Sequence, residues 1–136
     1  MKLSLKQQKK RALIIPALNE EASIFQAVKG VPDGLFQYIV VIDNGSNDLT
    51  VENAYKSGAW VLFEPHRGYG SACWKGIEAL PDVVETVVFM DADLSDDPKD
   101  ARRLVETLEK GNYDMVIGSR VTGKSDPGAL EPWQRL

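Results

Sequence analysis

The chain has 136 residues, 43% hydrophobic and 26% charged, which is the composition of one ordinary globular domain and excludes a disordered chain. Its formal net charge of −4 excludes a global positive field, so we expect no nucleic-acid partner. One cysteine and one histidine exclude a disulfide framework and a metal site built from those two residue types within this chain.

The first eleven residues form a basic segment without an acid. The apolar run that follows, residues 12–15, is too short for the core of a secretory signal, and no run approaches the roughly 18 residues of a membrane span. We interpret 1–11 as a basic tail and 12–136 as the domain. The tail is either simply solvated or a weak tether to anionic lipid, worth about 1 kcal/mol per basic residue. We expect a cytoplasmic location, at the inner face of the membrane if that peripheral contact is made.

Five short apolar runs rich in β-branched residues predict strands. They are continuous rather than alternating, which is typical of strands buried on both faces of a parallel sheet. The predicted strands are residues 12–15, 38–42, 60–63, 86–90 and 114–117.

Four stretches between these strands repeat apolar residues with the spacing of a helix that has one buried face, near residues 24–31, 51–58, 73–80 and 101–108. Asn19 is the expected N-cap of the first helix, with Glu20 and Glu21 in its first turn. Helix C-terminal glycines are expected at Gly30, Gly58 and Gly111. The strict alternation predicts an α/β fold, a three-layer α/β/α arrangement around a mainly parallel, Rossmann-like nucleotide-binding sheet.

Ligands bind at the carboxyl ends of the strands in such a sheet, and Asp91 and Asp93 follow the fourth predicted strand directly. Side chains at i and i+2 of extended backbone point the same way, and two neighbouring carboxylates repel unless a cation relieves them. Oxygen ligands favour Mg²⁺ or Mn²⁺. Random placement alone predicts about one Asp-x-Asp in this composition, so the position after a buried strand carries the argument.

Other residues at this edge allow two interpretations each. Asp43 ends the second predicted strand, where a carboxylate either accepts from a nucleobase or ribose or simply forms the turn. Asp48 is better explained as a helix cap. Gly68 and Gly70 suit close packing better than a dinucleotide fingerprint, while a role for Arg67 in facing a diphosphate stays open.

Five ordered segments together resemble the N-terminal part of the family 2 glycosyltransferases with the GT-A fold, and most of all their dolichyl- or polyprenyl-phosphate sugar synthases. The resemblance covers residues 12 to 135. The segments are Ile14-Ile15-Pro16-Ala17-Leu18-Asn19-Glu20-Glu21, Val41-Ile42-Asp43-Asn44-Gly45-Ser46, Arg67-Gly68-Tyr69-Gly70, Met90-Asp91-Ala92-Asp93 and Ile117-Gly118-Ser119-Arg120.

The resemblance implies a role for each matching position. The nucleoside pocket would be lined by Pro16, Leu18 and Glu20, and the base and ribose would be held by Val41 and Asp43. The sugar-nucleotide would meet Asp91, Ala92 and Asp93, with the two aspartates as catalytic residues that hold Mg²⁺ or Mn²⁺. The acceptor phosphate would lie near Arg120, with Arg135 a weaker match.

The function so implied is metal-dependent, inverting transfer of a sugar from a nucleoside-diphosphate sugar to a lipid phosphate or a glycan. A lipid phosphate is largely ionised at neutral pH and needs no general base, whereas a hydroxyl acceptor does. Ser95 stands where these synthases often have Gln, which leaves the metal shell and the sugar open. Family members usually continue well past Leu136, so we expect a domain that is incomplete at its C-terminus.

Two alternatives come from other classes. The first is a non-catalytic nucleotide-sugar-binding module or an inactive fragment, which would keep the donor loops without turnover. The second is a nucleotidyltransferase, which would need a glycine-rich, basic loop after the first strand to hold a triphosphate. Residues 16–21 contain neither glycine nor a basic residue, so this alternative ranks last.

Overall fold

The computed structural model describes residues 9–119, which form four parallel strands and four α-helices. The strands are β1 (Lys10–Ala17), β2 (Tyr38–Asp43), β3 (Trp60–Phe63) and β4 (Val84–Phe89). The helices are α1 (Ile24–Lys29), α2 (Thr50–Lys56), α3 (Tyr69–Ala79) and α4 (Ala101–Gly111), and a 3₁₀ turn, Pro98–Asp100, leads into α4.

The strand order is β3-β2-β1-β4, and every neighbouring pair is parallel. Ala12 of β1 lies beside Tyr38 of β2 on one side and beside Val87 of β4 on the other. The chain therefore steps outward from β1 through β2 to β3, and then returns across β1 to reach β4. Right-handed crossovers in opposite directions place their helices on opposite faces of a sheet. The point where the direction reverses, between β1 and β4, is the topological switch point at which such sheets bind ligands.

Alternate residues of β1 belong to two separate cores. Leu13 and Ile15 join a large buried cluster with side chains of α1, α2 and α4. Ile14 points the other way, into a small cluster with β2 and Ala72 of α3. Helices therefore cover both faces, and the predicted three-layer α/β/α fold is confirmed.

The predicted fifth strand is wrong within the described residues. Residues 114–117 have no strand conformation, and Met115 and Ile117 are 75% and 80% exposed. An apolar run becomes a strand only where a neighbouring strand supplies hydrogen bonds. In the described part of the chain, the sheet ends with β4 on this side.

The predicted start of the first helix is also wrong. The N-cap of α1 is Ser23, and no acid lies in its first turn. Asn19 instead has a positive φ of 54°, and its Oδ1 accepts a hydrogen bond from the N–H of Asn47. Two of the three predicted glycine stops are confirmed, since Gly30 is the C-cap of α1 and Gly58 follows α2 with a φ of 91°. At the end of α4 the left-handed residue is Asn112 rather than Gly111.

The N-terminal boundary differs slightly from the expected one. β1 begins at Lys10, so the last two residues of the predicted basic tail belong to the sheet. Arg11 forms two hydrogen bonds of 2.8 Å with the carboxylate of Glu109, which joins the start of β1 to the end of α4. Residues 1–8 and 120–136, including Arg120, Arg135 and the expected incomplete C-terminus, lie outside the described residues. None of the helices described in this chain is both long and apolar enough to cross a membrane.

Candidate functional site

An open cleft of about 560 Å³ lies at the switch point, where the loops that follow all four strands meet. The loop after β1 and the loop after β4 form its two sides, and the loops after β2 and β3 complete it. The lining residues are Pro16, Ala17, Leu18, Glu20, Asn44, Arg67, Gly68, Tyr69, Asp91, Ala92 and Asp93.

Six of the predicted site residues are brought together in this cleft. They are Pro16 near the end of β1, Leu18 and Glu20 from the loop after β1, and Asp91, Ala92 and Asp93 from the loop after β4. Segments 71 or more residues apart in the chain thus form one surface because β1 and β4 are neighbours in the sheet.

The loop after β4 turns sharply around the two aspartates. The N–H of Asp91 donates to Oδ2 of Asp96 at 3.2 Å, and the N–H of Ser95 donates to Oδ1 of Asp93 at 2.9 Å. Asp91 is half-buried and Asp93 is exposed. Their oxygens suit Mg²⁺ or Mn²⁺, since Mg²⁺ is commonly held by one or two carboxylates together with phosphate oxygens. Within residues 9–119 no group of three or more His, Cys, Asp or Glu side chains is arranged to hold an ion.

Hydrogen bonds to the loop after β2 and to the start of α2 fix the loop after β1. The N–H of Glu20 donates to Oγ1 of Thr50 at 2.8 Å, and the N–H of Asn19 donates to Oγ of Ser46 at 2.9 Å. The Oγ of Ser23 donates to Oε2 of Glu20 at 3.1 Å, which orients a carboxylate that lines the cleft. This side of the cleft is therefore held both by its own Ser23 and by side chains of the loop after β2 and of the start of α2.

Two predicted residues lie beside the cleft rather than in its lining. Val41 is fully buried in the large cluster. Asp43 is 5% exposed, and its carboxylate accepts hydrogen bonds from the N–H groups of Gly45 and Ser46 at 3.2 and 3.1 Å. The turn-forming role of Asp43 is thus confirmed, while contact of Val41 or Asp43 with a base or ribose stays a prediction.

Ala17, Asn44 and Tyr69 also line the cleft, and sequence reasoning assigned them no role. The signal for Asn44 was its place directly after β2, at the edge where the strands end. Burial, together with the neighbouring Cys73 and Asp91, raises the pKa of the Tyr69 phenol well above its usual value. Tyr69 therefore presents a protonated hydroxyl to the cleft at neutral pH.

Asp48 keeps the structural role expected of it, and His66 contacts a nearby carboxylate. Oδ1 of Asp48 accepts a hydrogen bond from the N–H of Thr50, the first residue of α2, at 2.9 Å. Hydrogen bonds from Thr50 are the main reason that the pKa of Asp48 is lowered. His66 lies 3.0 Å from the Glu64 carboxylate through Nδ1.

The sequence model described as Glycosyl transferase family 2 matches residues 12–135 of this chain. A relative named uncharacterized glycosyltransferase Rv0539, from Mycobacterium tuberculosis, is 40% identical over 121 residues, which are 89% of this chain and 52% of the relative. Dodecaprenyl-phosphate galacturonate synthase from Rhizobium johnstonii is 31% identical over 125 residues, which are 83% of this chain and 36% of that enzyme. The chain thus spans about half the length of the first relative and less of the second.

The structure resembles glucosyl-3-phosphoglycerate synthase from Mycobacterium tuberculosis. Against its complex with Mn²⁺, UDP-glucose and phosphoglyceric acid, the TM-score is 0.68 at 32% identity over 76% of this chain and 40% of the other. Against its complex with Mg²⁺ and UDP, the TM-score is 0.65 at 30% identity over 74% of this chain and 40% of the other. The match of the family model over nearly the whole chain shows that this protein belongs to glycosyl transferase family 2.

Proposed function

We propose that the cleft binds a nucleoside-diphosphate sugar together with Mg²⁺ or Mn²⁺, and that the chain takes part in transferring the sugar to an acceptor. The single observation that carries this proposal is the meeting of the loop after β1 with the Asp91 and Asp93 loop in one cleft at the switch point. The structural relative with a TM-score of 0.68 binds Mn²⁺ and UDP-glucose, which supports the same class of donor here.

The two sides of the cleft have complementary chemistry. Pro16 and Leu18 offer apolar surface against which a base can stack, and Glu20 offers a carboxylate that accepts hydrogen bonds from a nucleoside. In this proposal Asp43 and Val41, which lie beside the cleft, hold the base and ribose.

Asp91 and Asp93 would hold the divalent ion, with Ala92 between them at the cleft surface. When bound, such an ion neutralises the charge that develops on a departing nucleoside diphosphate. Hydrogen bonds within the loop after β4 fix the shape of that loop. They would thereby hold the carboxylates of Asp91 and Asp93 in place for the ion.

The acceptor we propose is a polyprenyl-type lipid phosphate. One of its phosphate oxygens would attack the anomeric carbon of the donor sugar from the side opposite the departing nucleoside diphosphate, so that the anomeric configuration inverts. A relative named dodecaprenyl-phosphate galacturonate synthase supports a lipid phosphate. The phosphate oxygen of such an acceptor is ionised at neutral pH, with a second pKa of about 6, and so needs no general base. In this proposal Arg120 orients the acceptor phosphate by a charge-assisted hydrogen bond.

A lipid acceptor also implies a location. We propose that the chain acts in the cytoplasm, with its basic N-terminal residues in peripheral contact with the inner face of the membrane. Binding to vesicles with and without anionic lipid, at low and high salt, tests this, because an electrostatic contact weakens as salt is added.

The test of the donor site is calorimetry with UDP and with GDP, in Mn²⁺ and in EDTA. We expect binding at least about tenfold tighter with the ion, which is about 1.4 kcal/mol. Asp91→Asn and Asp93→Asn should each abolish that difference, while Asp82→Asn, an exposed carboxylate outside the cleft, should leave it unchanged. Equal affinity in Mn²⁺ and EDTA would contradict the metal assignment.

The test of transfer is an assay with radiolabelled nucleotide sugars and polyprenyl phosphate. Donor binding with no transfer would instead favour a non-catalytic binding module. Because the chain spans about half of its relative Rv0539, the same assay on a longer protein that includes this chain separates the two outcomes.

A further inference from the structure

The buried side chain of Asn44 fastens the loop between β3 and α3. Asn44 is 7% exposed, and its Nδ2 donates to the carbonyl oxygens of Glu64 and His66 at 2.8 and 2.9 Å. Its Oδ1 accepts from the N–H of Gly68 at 2.9 Å. One amide therefore binds three backbone groups of a five-residue loop.

Asn44 is itself fixed to the centre of the sheet. Its N–H donates to the carbonyl oxygen of Ala17, the last residue of β1, at 2.9 Å. The N–H of Glu64 donates to the carbonyl oxygen of Asp43 at 2.9 Å. The loop of residues 64–68 is thus tied through Asn44 to the carboxyl ends of β1 and β2, which form the cleft.

This loop supplies Arg67 to the cleft. The Arg67 guanidinium lies over Gly45, where a methyl group in place of the glycine hydrogen would be 3.5 Å from both Nε and Nη2. Its hydrogen bond from Nη2 to the carbonyl oxygen of Gly45 is long, at 3.4 Å. A guanidinium has five N–H donors, and among the described residues the long contact with Gly45 uses only one of those of Arg67.

The charge of the cleft also singles out Arg67. Its lining contains three carboxylates, Glu20, Asp91 and Asp93, and Arg67 is the one lysine or arginine among the described lining residues. No ion pair within residues 9–119 involves Arg67. A planar guanidinium matches two oxygens of a phosphate at once.

We propose that Asn44 is a positioning residue of the donor site, which fixes the 64–68 loop so that Arg67 binds the diphosphate of the sugar donor. The proposal rests on the proposed function. Holding the loop before the donor arrives lowers the entropy that binding must overcome, so the contact is strong only when the loop is already in place.

The first experiment compares ligands that differ only in the diphosphate. Calorimetry with Mn²⁺ measures the affinities of UDP and uridine, and of GDP and guanosine, for the wild type and for Arg67→Ala. We expect Arg67→Ala to weaken binding of the diphosphate about 10- to 150-fold and to leave the nucleoside unchanged. Arg67→Lys should recover part of the loss, and Arg102→Ala, on the exposed side of α4, should change neither affinity.

The second experiment tests whether Asn44 acts through Arg67. In a double-mutant cycle, Asn44→Ala should shrink the effect of Arg67→Ala on diphosphate affinity, because a released loop no longer presents the guanidinium. If Asn44→Ala does not fold, Asn44→Asp replaces it in the cycle. The aspartate side chain has the same shape as asparagine but lacks both N–H donors. Equal effects of Arg67→Ala in both backgrounds would overturn the positioning role.

The outcomes separate this inference from the function on which it rests. A wild-type chain that binds neither UDP nor GDP contradicts both. If the wild type and Arg67→Ala bind a diphosphate equally tightly, the Arg67 assignment alone is contradicted. An equal loss of nucleoside and diphosphate affinity in Arg67→Ala also contradicts it, because the arginine would then contact the base or ribose.

Discussion

The two faces of the sheet carry buried apolar clusters of very different size. Among the described residues, α1, α2 and α4 enclose a cluster of sixteen buried side chains on one face, whereas on the other face α3 completes a cluster of four. Trp74 and Ile77 of α3 remain 61% and 40% exposed. The helix with the smallest buried cluster begins in the cleft at Tyr69. One face therefore holds most of the buried apolar core, while the other carries a helix that begins in the cleft and covers a smaller cluster.

The largest effect should come from two neighbouring isoleucines that point to opposite faces. Ile14 and Ile15 are both fully buried in β1, but Ile15 belongs to the large cluster and Ile14 to the small one. We expect Ile15→Ala to lower the free energy of unfolding by about 4 kcal/mol and Ile14→Ala by about 2 kcal/mol, because fewer fully buried side chains surround the space left at Ile14. Urea unfolding of both variants measures the difference. Equal losses would show that the two faces are equally well packed.

A smaller effect is expected where α3 touches the sheet. A methyl group on Gly76 would lie 2.6 Å from Cγ2 of Ile14, so Gly76→Ala must push the helix away. Overpacking costs about 1–3 kcal/mol, and the better helix propensity of alanine returns up to about 1 kcal/mol. We therefore expect a net loss of about 1 kcal/mol or more in the free energy of unfolding.

Gly70 in the same helix provides the control for this substitution. No atom lies within 4 Å of a methyl group placed on Gly70, so Gly70→Ala should be neutral or slightly stabilising. Calorimetric unfolding of both variants makes the comparison. Because Ile14→Ala opens space, Gly76→Ala should cost less in that background, and an unchanged cost would contradict the packing explanation.

The parts of the fold that the sequence predicted are those in which a local pattern suffices. The four strands and four helices were predicted because buried parallel strands are continuously apolar and amphipathic helices repeat with their own period. Residues 114–117 share the apolar pattern but have no partner strand among the described residues. Asn19 has the side chain of a helix cap, yet its Oδ1 accepts a hydrogen bond from the N–H of Asn47, 28 residues away.

The same distinction holds for the site. Convergence of Glu20 with Asp91 and Asp93 was predictable, because the carboxyl ends of parallel strands share one edge of the sheet. The clamp made by Asn44 was not, because its partners are backbone groups 20 to 24 residues away that no side-chain pattern reveals. Side chains at strand ends can be located from sequence, whereas the hydrogen bonds that orient them depend on the folded loops.

The smallest effect concerns the ion pair between β1 and α4, on the face of the sheet that carries the large cluster. Arg11 and Glu109 are about one-fifth exposed and share two 2.8 Å hydrogen bonds, which lower the pKa of Glu109. We expect Arg11→Met to lower the free energy of unfolding by about 1 kcal/mol at pH 7. A lowered folded-state pKa gives stability that is present above the unfolded pKa and is lost as pH falls through the folded one. The difference between wild type and Arg11→Met should therefore shrink as the pH falls below the ordinary range of glutamate.

The exposed pair of Lys56 and Glu52 on α2 serves as the control for that prediction, since both side chains are more than half exposed although they lie 2.8 Å apart. Water screens such a pair, so Lys56→Met should change the free energy of unfolding by no more than about 0.5 kcal/mol, with little dependence on pH. Urea unfolding between pH 3 and 7 measures both variants. If Arg11→Met behaved like Lys56→Met at every pH, the link between β1 and α4 would contribute nothing, and apolar packing alone would hold α4 on this face.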